Sequence, residues 1–533
     1  MTRSTFLLVA IGLVACGSEQ SSPAWNSSSP APNVPTSRTP SAQPPLVGPA
    51  PATDSARTQA RPAPTSNPFV LASSDPFSTF AADVDTASYD IFRRSLANSV
   101  LPAQSEVRIE EFVNYFGYDY PAPDLASDVP FSIALSASAH VSEQAHTKLL
   151  RVGIQGAEVT EKPAANLVFL VDVSGSMAAP NKLPLVKQLL QEALDVLDPT
   201  DTVAIVSYAA DTRVRLAATL VSERARIEGV IAALEAGGST NGSSGINLAY
   251  QEAKAGFLDE GINHIVLCTD GDFNLGVTSN DALVALIKQK RQSGVTLTAL
   301  GFGERNNDAM MERVSDAGNG IYSVLYDADQ TVAYAHQRLL SSMVHIAKDM
   351  KIQVEFNPEH VYAYRLLGYE DRAVADSQFR NDSVDGGEVG AGHRVTALFE
   401  LALTPEDLSA SMRPPSRGES SGAKLDSEVQ PEDLARVKVR WKQPGASTSD
   451  SASEVDAAIA YDDIALDAEE LDPDAQWAMG VARLAEVLRA SPYASRSELP
   501  RLRNLLSPLA ADHADRNELL TLWPKVERLL NVR

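Results

Sequence analysis

Cysteine is nearly absent from this chain: Cys16 and Cys268 are the two in 533 residues. No disulfide framework and no Cys/His zinc spacing can be built from them, so apolar packing has to hold the folded parts together. The length is enough for two or three such cores. Histidine is also scarce, with eight scattered residues. There is no His-Glu-x-x-His pair and no Gly-x-Ser-x-Gly elbow, which removes two common hydrolase signatures. Gly301-Phe-Gly303 follows an apolar run, but the third glycine of a dinucleotide loop is missing, and no Gly-x4-Gly-Lys-Ser/Thr loop occurs. Basic charge is short too: 45 Lys and Arg stand against 69 Asp and Glu, a net charge of -24. Such a body is repelled by nucleic acid and by anionic lipid surfaces, which argues against nucleic-acid binding. Beyond the first fifteen residues no apolar run approaches the length of a membrane span.

Against these absences, one turn stands out. The apolar run Asn166-Leu-Val-Phe-Leu-Val171 reads as a buried strand and ends in Asp172-Val-Ser-Gly-Ser176. One carboxylate and two hydroxyls on a tight turn are hard oxygen donors, suited to Mg²⁺ or Mn²⁺. Taken alone, the same residues also make an ordinary turn and helix cap. Two later segments extend the pattern: the glycine-rich loop Gly237-Gly-Ser-Thr-Asn-Gly242, and Thr269-Asp270-Gly-Asp-Phe-Asn274 after the apolar run His264 to Cys268. In an open parallel α/β sheet the loops at the carboxyl ends of strands gather on one edge. Asp172, Ser174, Ser176, Thr240 and Asp270 are therefore expected to meet there.

This order and spacing resembles the metal-ion-dependent adhesion site of von Willebrand factor A domains. The resemblance implies Ser174, Ser176 and Thr240 as hydroxyl ligands, with Asp172 and Asp270 bound directly or through water. The implied ion is Mg²⁺, with Mn²⁺ or Ca²⁺ as alternatives. Three neutral hydroxyls and two carboxylates leave a divalent ion weakly neutralised, with a position open to a carboxylate from outside. A protein partner presenting an Asp or Glu is the expected ligand.

The surrounding pattern supports an α/β domain. Leu185, Leu189, Ala193 and Val196 recur at helical spacing within 182–197, and Thr202 to Tyr208 reads as a strand. Helices are expected near 224–234, after Gly245, over 281–292 and from Asp308, with a further strand at 295–300. Strands alternating with helices predict a doubly wound, mainly parallel sheet. The domain is expected to span 165–345.

Around it, short alternating strands occur on both sides: Phe131 to Leu135 and Leu149 to Ile154 before, and 351–356, 360–366, 394–403 and 435–441 after. They predict a β-sandwich assembled from both flanks, over 76–164 and 346–450, with the α/β domain inserted in it. The first flank also carries helical stretches around Tyr89, Phe92 and Leu96 and over 108–116. Asp83 and Asp85 there read as a strand end or helix cap. Segment 404–430 reads as a polar loop. Residues 451–533 are expected to open as an acidic, solvated loop to Asp474 and continue as a small helical subdomain, with Trp477, Val481, Leu484 and Leu488 on one face.

At the amino terminus, Arg3, the apolar stretch 6–15 and Leu13-Val-Ala-Cys16 look like a bacterial lipoprotein signal. Residues 1–15 are read as the removed leader and Cys16 as the lipidated residue. Residues 16–75, dense in Pro, Ser, Ala and Thr, cannot bury enough surface to offset ordering entropy and read as a tether. At about 3 Å per residue in its stiffest form it reaches more than about 100 Å. The lipid is the expected membrane contact. Gly17 after the cysteine favours the outer membrane or cell surface of a bacterial envelope. The whole order resembles a family of bacterial A-domain lipoproteins, a resemblance that Gly301-Phe-Gly303 and 311–320 reinforce.

A non-catalytic, metal-dependent binding protein is the leading expectation. A metal-dependent hydrolase would need a general base, for which Asp272 is the candidate. A structural envelope component, whose metal only stabilises the loops, is the third reading.

Overall fold

Every position from Leu167 to Val171 is apolar, and the strand Ala165–Asp172 is buried along its whole length. A strand covered on both faces reads as a continuous apolar run, the pattern of a parallel sheet between two helix layers. The computed structural model describes residues 65–532 apart from 83–84, 125–127, 143–144, 159–161, 239–242, 272–279, 304–305, 341, 385, 416–426, 445, 447–449 and 466–471. The leader, Cys16, most of the tether, Asp83, Thr240 and Asp272 lie outside the described residues. Among the described residues the sheet has six strands, in the order Tyr322–Leu325, Thr296–Phe302, Ile262–Thr269, Ala165–Asp172, Thr202–Tyr208 and Thr212–Leu220. Pairing is parallel except for the last strand, which runs antiparallel at the edge.

Helices cover both faces. Leu183–Val196, Arg224–Ala232 and Ala328–Gln337 pack on one side through Leu185, Leu189, Ile227, Ile231 and Tyr334. Ser243–Ala255, Asn280–Arg291 and Asp308–Ala317 pack on the other through Ile246, Ala249, Leu283, Ile287 and Met311. The result is the doubly wound α/β layer that the alternation of strands and helices predicts.

The sandwich is present and takes strands from both flanks. One sheet runs Val70–Leu71, Ala363–Leu367, Arg394–Ala402, Lys148–Gly156, Phe131–Ala139 and Ile464–Ala465. The second joins Gly387–Gly390, His345–Phe356, Asp433–Lys442 and Ser453–Ala460, with Phe77–Ala81 also paired to His345–Phe356. Phe80, Val152, Ile154, Ile352, Val354, Phe399 and Trp441 fill the space between them. The chain leaves the sandwich after Lys148–Gly156 and returns at His345–Phe356, so the α/β layer is an insertion.

Three parts of the chain differ from expectation. Thr212–Leu220 is a strand where no strand is predicted. The acidic stretch from Asp450 is not solvated loop throughout, because Ser453–Ala460 pairs along Asp433–Lys442 from Trp441 with Ser453 to Asp433 with Ala460. The carboxy-terminal helices Pro473–Leu488, Leu499–Leu506 and Ala514–Leu529 do not pack by themselves. Trp477, Leu484, Leu502 and Trp523 share one core with Tyr89, Phe92, Phe112 and Phe116 of the amino-terminal helices Ala87–Ala97 and Ile109–Val113 and the turn after them. The Phe116 and Trp477 rings meet edge to face at 5.3 Å. Among the described residues no helix is long and apolar enough to cross a membrane.

Candidate metal centre

Two neighbouring parallel strands end at the site. Ala165–Asp172 and Ile262–Thr269 pair in register from Ala165 with Ile262 to Val171 with Cys268, so Asp172 and Thr269 come next on each. The chain passes from Ala165–Asp172 to Thr202–Tyr208 on one side, and its later strands build outward from Ile262–Thr269 on the other. The gap between these strand ends is the topological switch point, where open α/β sheets bind ligands.

The turn after Asp172 folds back on its carboxylate. Asp172 Oδ1 accepts the Ser174 backbone N–H at 2.8 Å, and Oδ2 accepts from Thr269 Oγ1 at 3.2 Å. The Ser174 and Ser176 hydroxyls lie 3.0 Å apart. Asp172 is fully buried, while Ser174 is 1% and Asp270 3% exposed. Ser176 is exposed, so the oxygen donors run from the sheet end out to solvent. The described part of the glycine loop is strapped to this turn: Gly175 N–H donates to the Gly238 carbonyl at 3.0 Å and Gly237 N–H to that of Val173 at 2.8 Å. That loop leads directly to Thr240.

Asp270 follows its strand and enters a turn that requires glycine. Gly271 has φ +81, and a Cβ there would stand 2.5 Å from the Asn307 backbone nitrogen. Thr269 Oγ1 accepts the Gly271 N–H at 3.2 Å. Asp270 Oδ2 receives Lys182 Nζ at 2.9 Å. Lys182 directly precedes the helix Leu183–Val196.

Burial raises the Asp172 pKa above the usual carboxylate range; its hydrogen bonds from Ser174 oppose this, and the Asp270 carboxylate adds to it. Tyr208, on the next strand, is pushed well above the usual phenol range by burial and then by Asp172, so its phenol stays protonated. Asp172 thus sits in a setting that penalises its negative charge, which a bound cation would relieve. Among the described residues no group of three or more His, Cys, Asp or Glu side chains is arranged to hold a metal. The donor set is carboxylate plus hydroxyl, which fits a hard divalent ion and does not fit a soft one.

The structure therefore brings Asp172, Ser174, Ser176 and Asp270 to one edge. Asp85 is engaged elsewhere, where its Oδ1 accepts the Tyr322 backbone N–H at 3.0 Å and its Oδ2 pairs with Arg372 at 2.9 Å. Cys268 is a buried thiol whose pKa burial pushes up, an inert core residue. Sequence reasoning missed Thr269, Tyr208 and Lys182 as parts of the site. Thr269 was recoverable from its place at the strand end beside Asp270, whereas Lys182 looks like any lysine opening a helix.

The fold is that of a von Willebrand factor type A domain, and residues 166–336 match the family described by that name. Residues 341–529 match the family described as the carboxy-terminal part of uncharacterized protein YfbK, and 57–151 one described as von Willebrand factor. Uncharacterized protein YfbK of Escherichia coli is 40% identical over 392 residues, which cover 72% of this chain and 67% of that protein. The chain belongs to the YfbK family of von Willebrand A-domain proteins. Human inter-alpha-trypsin inhibitor heavy chain H6 is 27% identical over 256 residues, 45% of this chain and 19% of that one. Among solved structures, von Willebrand factor type A from Catenulispora acidiphila aligns with a TM-score of 0.43 at 16% identity, covering 76% of this chain and 91% of that one.

Proposed function

We propose that Asp172, Ser174, Ser176 and Asp270, joined by Thr240, hold a divalent cation as a metal-ion-dependent adhesion site, and that the loaded site docks a carboxylate of a protein partner. The carrying observation is the buried Asp172 beside paired Ser174 and Ser176 hydroxyls, at the switch point that also ends in Asp270. Mg²⁺ suits a site of few carboxylates and several neutral oxygens, since it keeps part of its water shell. A partner Asp or Glu replacing one of those waters completes the shell, and apolar contacts around it add affinity. The role is binding rather than turnover. The amino-terminal pattern ending in Cys16 fits a lipid anchor, which holds the domain in a bacterial envelope.

The test combines two measurements on the full chain. Mg²⁺ is expected to raise the melting temperature of the wild type, EDTA to reverse the shift, and Asp172→Ala to abolish it while leaving the circular dichroism unchanged. Envelope protein retained on the immobilised chain in Mg²⁺ is expected to be released by EDTA and absent with Asp172→Ala. Equal retention with and without EDTA would sink the proposal. A melting shift without any metal-dependent partner would instead favour a metal that only stabilises the loops.

A further inference from the structure

Lys182 is an unexpected member of the site. Its ammonium lies 2.9 Å from Asp270 Oδ2, and the Asp270 side chain is 2% exposed against 20% for Lys182. The lysine is seated rather than free to wander. Its backbone opens the helix Leu183–Val196, and its stem passes over Gly303, just after the strand Thr296–Phe302. A Cβ at Gly303 would stand 2.8 Å from Lys182 Cε and 3.1 Å from Cγ. Gly303 also has φ +95, a conformation that side-chain-bearing residues rarely adopt. A helix start, a glycine past a strand end and a buried carboxylate together fix where the ammonium sits.

The hydroxyl ligands are neutral, so among the described residues the charge of the site is set by Asp172, Asp270 and Lys182. Two carboxylates and one ammonium leave a single negative charge. A divalent ion then turns the site singly positive. Without the ammonium, the same ion would leave it neutral. In a buried setting such differences are poorly screened.

We infer that Lys182 tunes this site: it weakens the hold on the divalent ion, and it leaves the loaded site positively charged and so receptive to an outside carboxylate. The inference rests on the reading of Asp172 and Asp270 as metal ligands. Lys182 shares Asp270 with the ion and repels it, while the same positive charge favours an incoming anion. It is a positioning and charge-setting residue, one that selects for an acidic ligand.

The experiment is isothermal titration of the full chain with Mg²⁺ alone, followed by acetate added to the Mg²⁺-saturated protein with melting temperature as the readout. Lys182→Met is expected to bind Mg²⁺ about tenfold or more tightly than wild type. Lys182→Gln, which keeps a hydrogen-bond donor without the charge, should tighten it similarly, and Lys182→Arg should stay close to wild type. Acetate should stabilise the loaded wild type and not the loaded Met or Gln variants. Unchanged or weaker Mg²⁺ binding in folded Lys182→Met and Lys182→Gln would overturn the inference while leaving the metal site standing, provided that Asp172→Ala abolishes Mg²⁺ binding. Mg²⁺ binding that survives Asp172→Ala would overturn the metal site itself, and the inference with it.

Discussion

Thr269 Oγ1 donates to Asp172 Oδ2 at 3.2 Å and accepts the Gly271 N–H at 3.2 Å, so a single hydroxyl ties the two strand ends of the site together. Both partners are buried, and each would lose a hydrogen bond if the hydroxyl were removed. Valine has nearly the same shape but can neither donate nor accept. Thr269→Val is therefore expected to cost about 2 kcal/mol, mostly as the penalty of taking a hydrogen bond from a buried N–H and from a buried carboxylate. Thr269→Ser keeps the hydroxyl and should cost less than about 1 kcal/mol. Urea unfolding of the two variants against wild type separates these outcomes. A loss in Thr269→Val no larger than that in Thr269→Ser would show that the hydroxyl is not the dominant contribution. At this scale the sequence was informative about oxygen donors and silent about what orients them. Asp172, Ser174, Ser176 and Asp270 announce themselves by type and spacing. Lys182 and Tyr208 reach the site only through the pairing of strands and the angle of a helix.

The elements divide in the same way. Ala165–Asp172 and Ile262–Thr269 were legible because burial on both faces demands an unbroken apolar run. Thr212–Leu220 was not, because it is an edge strand whose ladder shifts register between Val203 and Ile205 and again between Ile205 and Val206 of its neighbour. Such irregularities break the two-residue alternation that marks a half-buried strand. Ser453–Ala460 was hidden by its charge, and the structure explains that charge: the strand lies at a sheet edge, where charged side chains discourage pairing with other chains. Glu454 sits directly opposite Arg440 and also pairs with Arg380 at 2.7 Å. The hydrogen bonds from Arg380 hold the Glu454 carboxyl below the usual range, against a smaller effect of burial. Glu454→Arg would set three guanidinium groups together. It is expected to cost about 1 kcal/mol, a modest figure because the pairs are partly exposed to solvent. Hydrogen exchange should quicken over 453–460 and stay unchanged in the central strands of the inserted domain. Uniformly faster exchange across the chain would contradict a local edge effect.

The whole molecule is closed by contacts between its distant segments, which no local pattern reveals. The leucine and tryptophan stripe after Pro473 was readable as core, but its partner, the aromatic group from Tyr89 to Phe116, lies hundreds of residues earlier. Where that amino-terminal segment meets the inserted domain, carboxylates are buried. Glu111 is 5% exposed. Its Oε2 accepts the Ser88 N–H at 2.7 Å, and its Oε1 lies 3.5 Å from Arg108 Nε. Burial, then Glu312 and Glu110, push its pKa to about 8 despite Arg108. The folded protein thus keeps a proton on Glu111 at pH values where the unfolded chain, near 4.5, has released it. Its contribution to stability is complete below about pH 4.5 and is lost as pH rises through about 8. Two histidines, His264 buried and His345 half-buried, act in the opposite direction. Burial holds His345 near 4, aided by His393 and Lys348, and His264 near 3, so the fold loses stability as pH falls below about 6.5. Asp90, raised to about 6 by burial, has lost its contribution by that pH. Between pH 6.5 and 8 Asp90 is level, the two histidines return less than about 1 kcal/mol as the unfolded chain gives up their protons, and Glu111 is still titrating in the opposite direction. Wild-type stability is therefore expected to fall across that window by up to about 2 kcal/mol, the linkage limit for one proton over 1.5 pH units. Glu111→Gln keeps an acceptor for Ser88 and carries no titratable group, so its stability should fall by less than half as much. Urea unfolding at pH 6.5, 7.2 and 8.0 measures both slopes. Parallel curves for wild type and Glu111→Gln would show that the buried carboxyl at this junction is not the group that makes the fold sensitive to mild base.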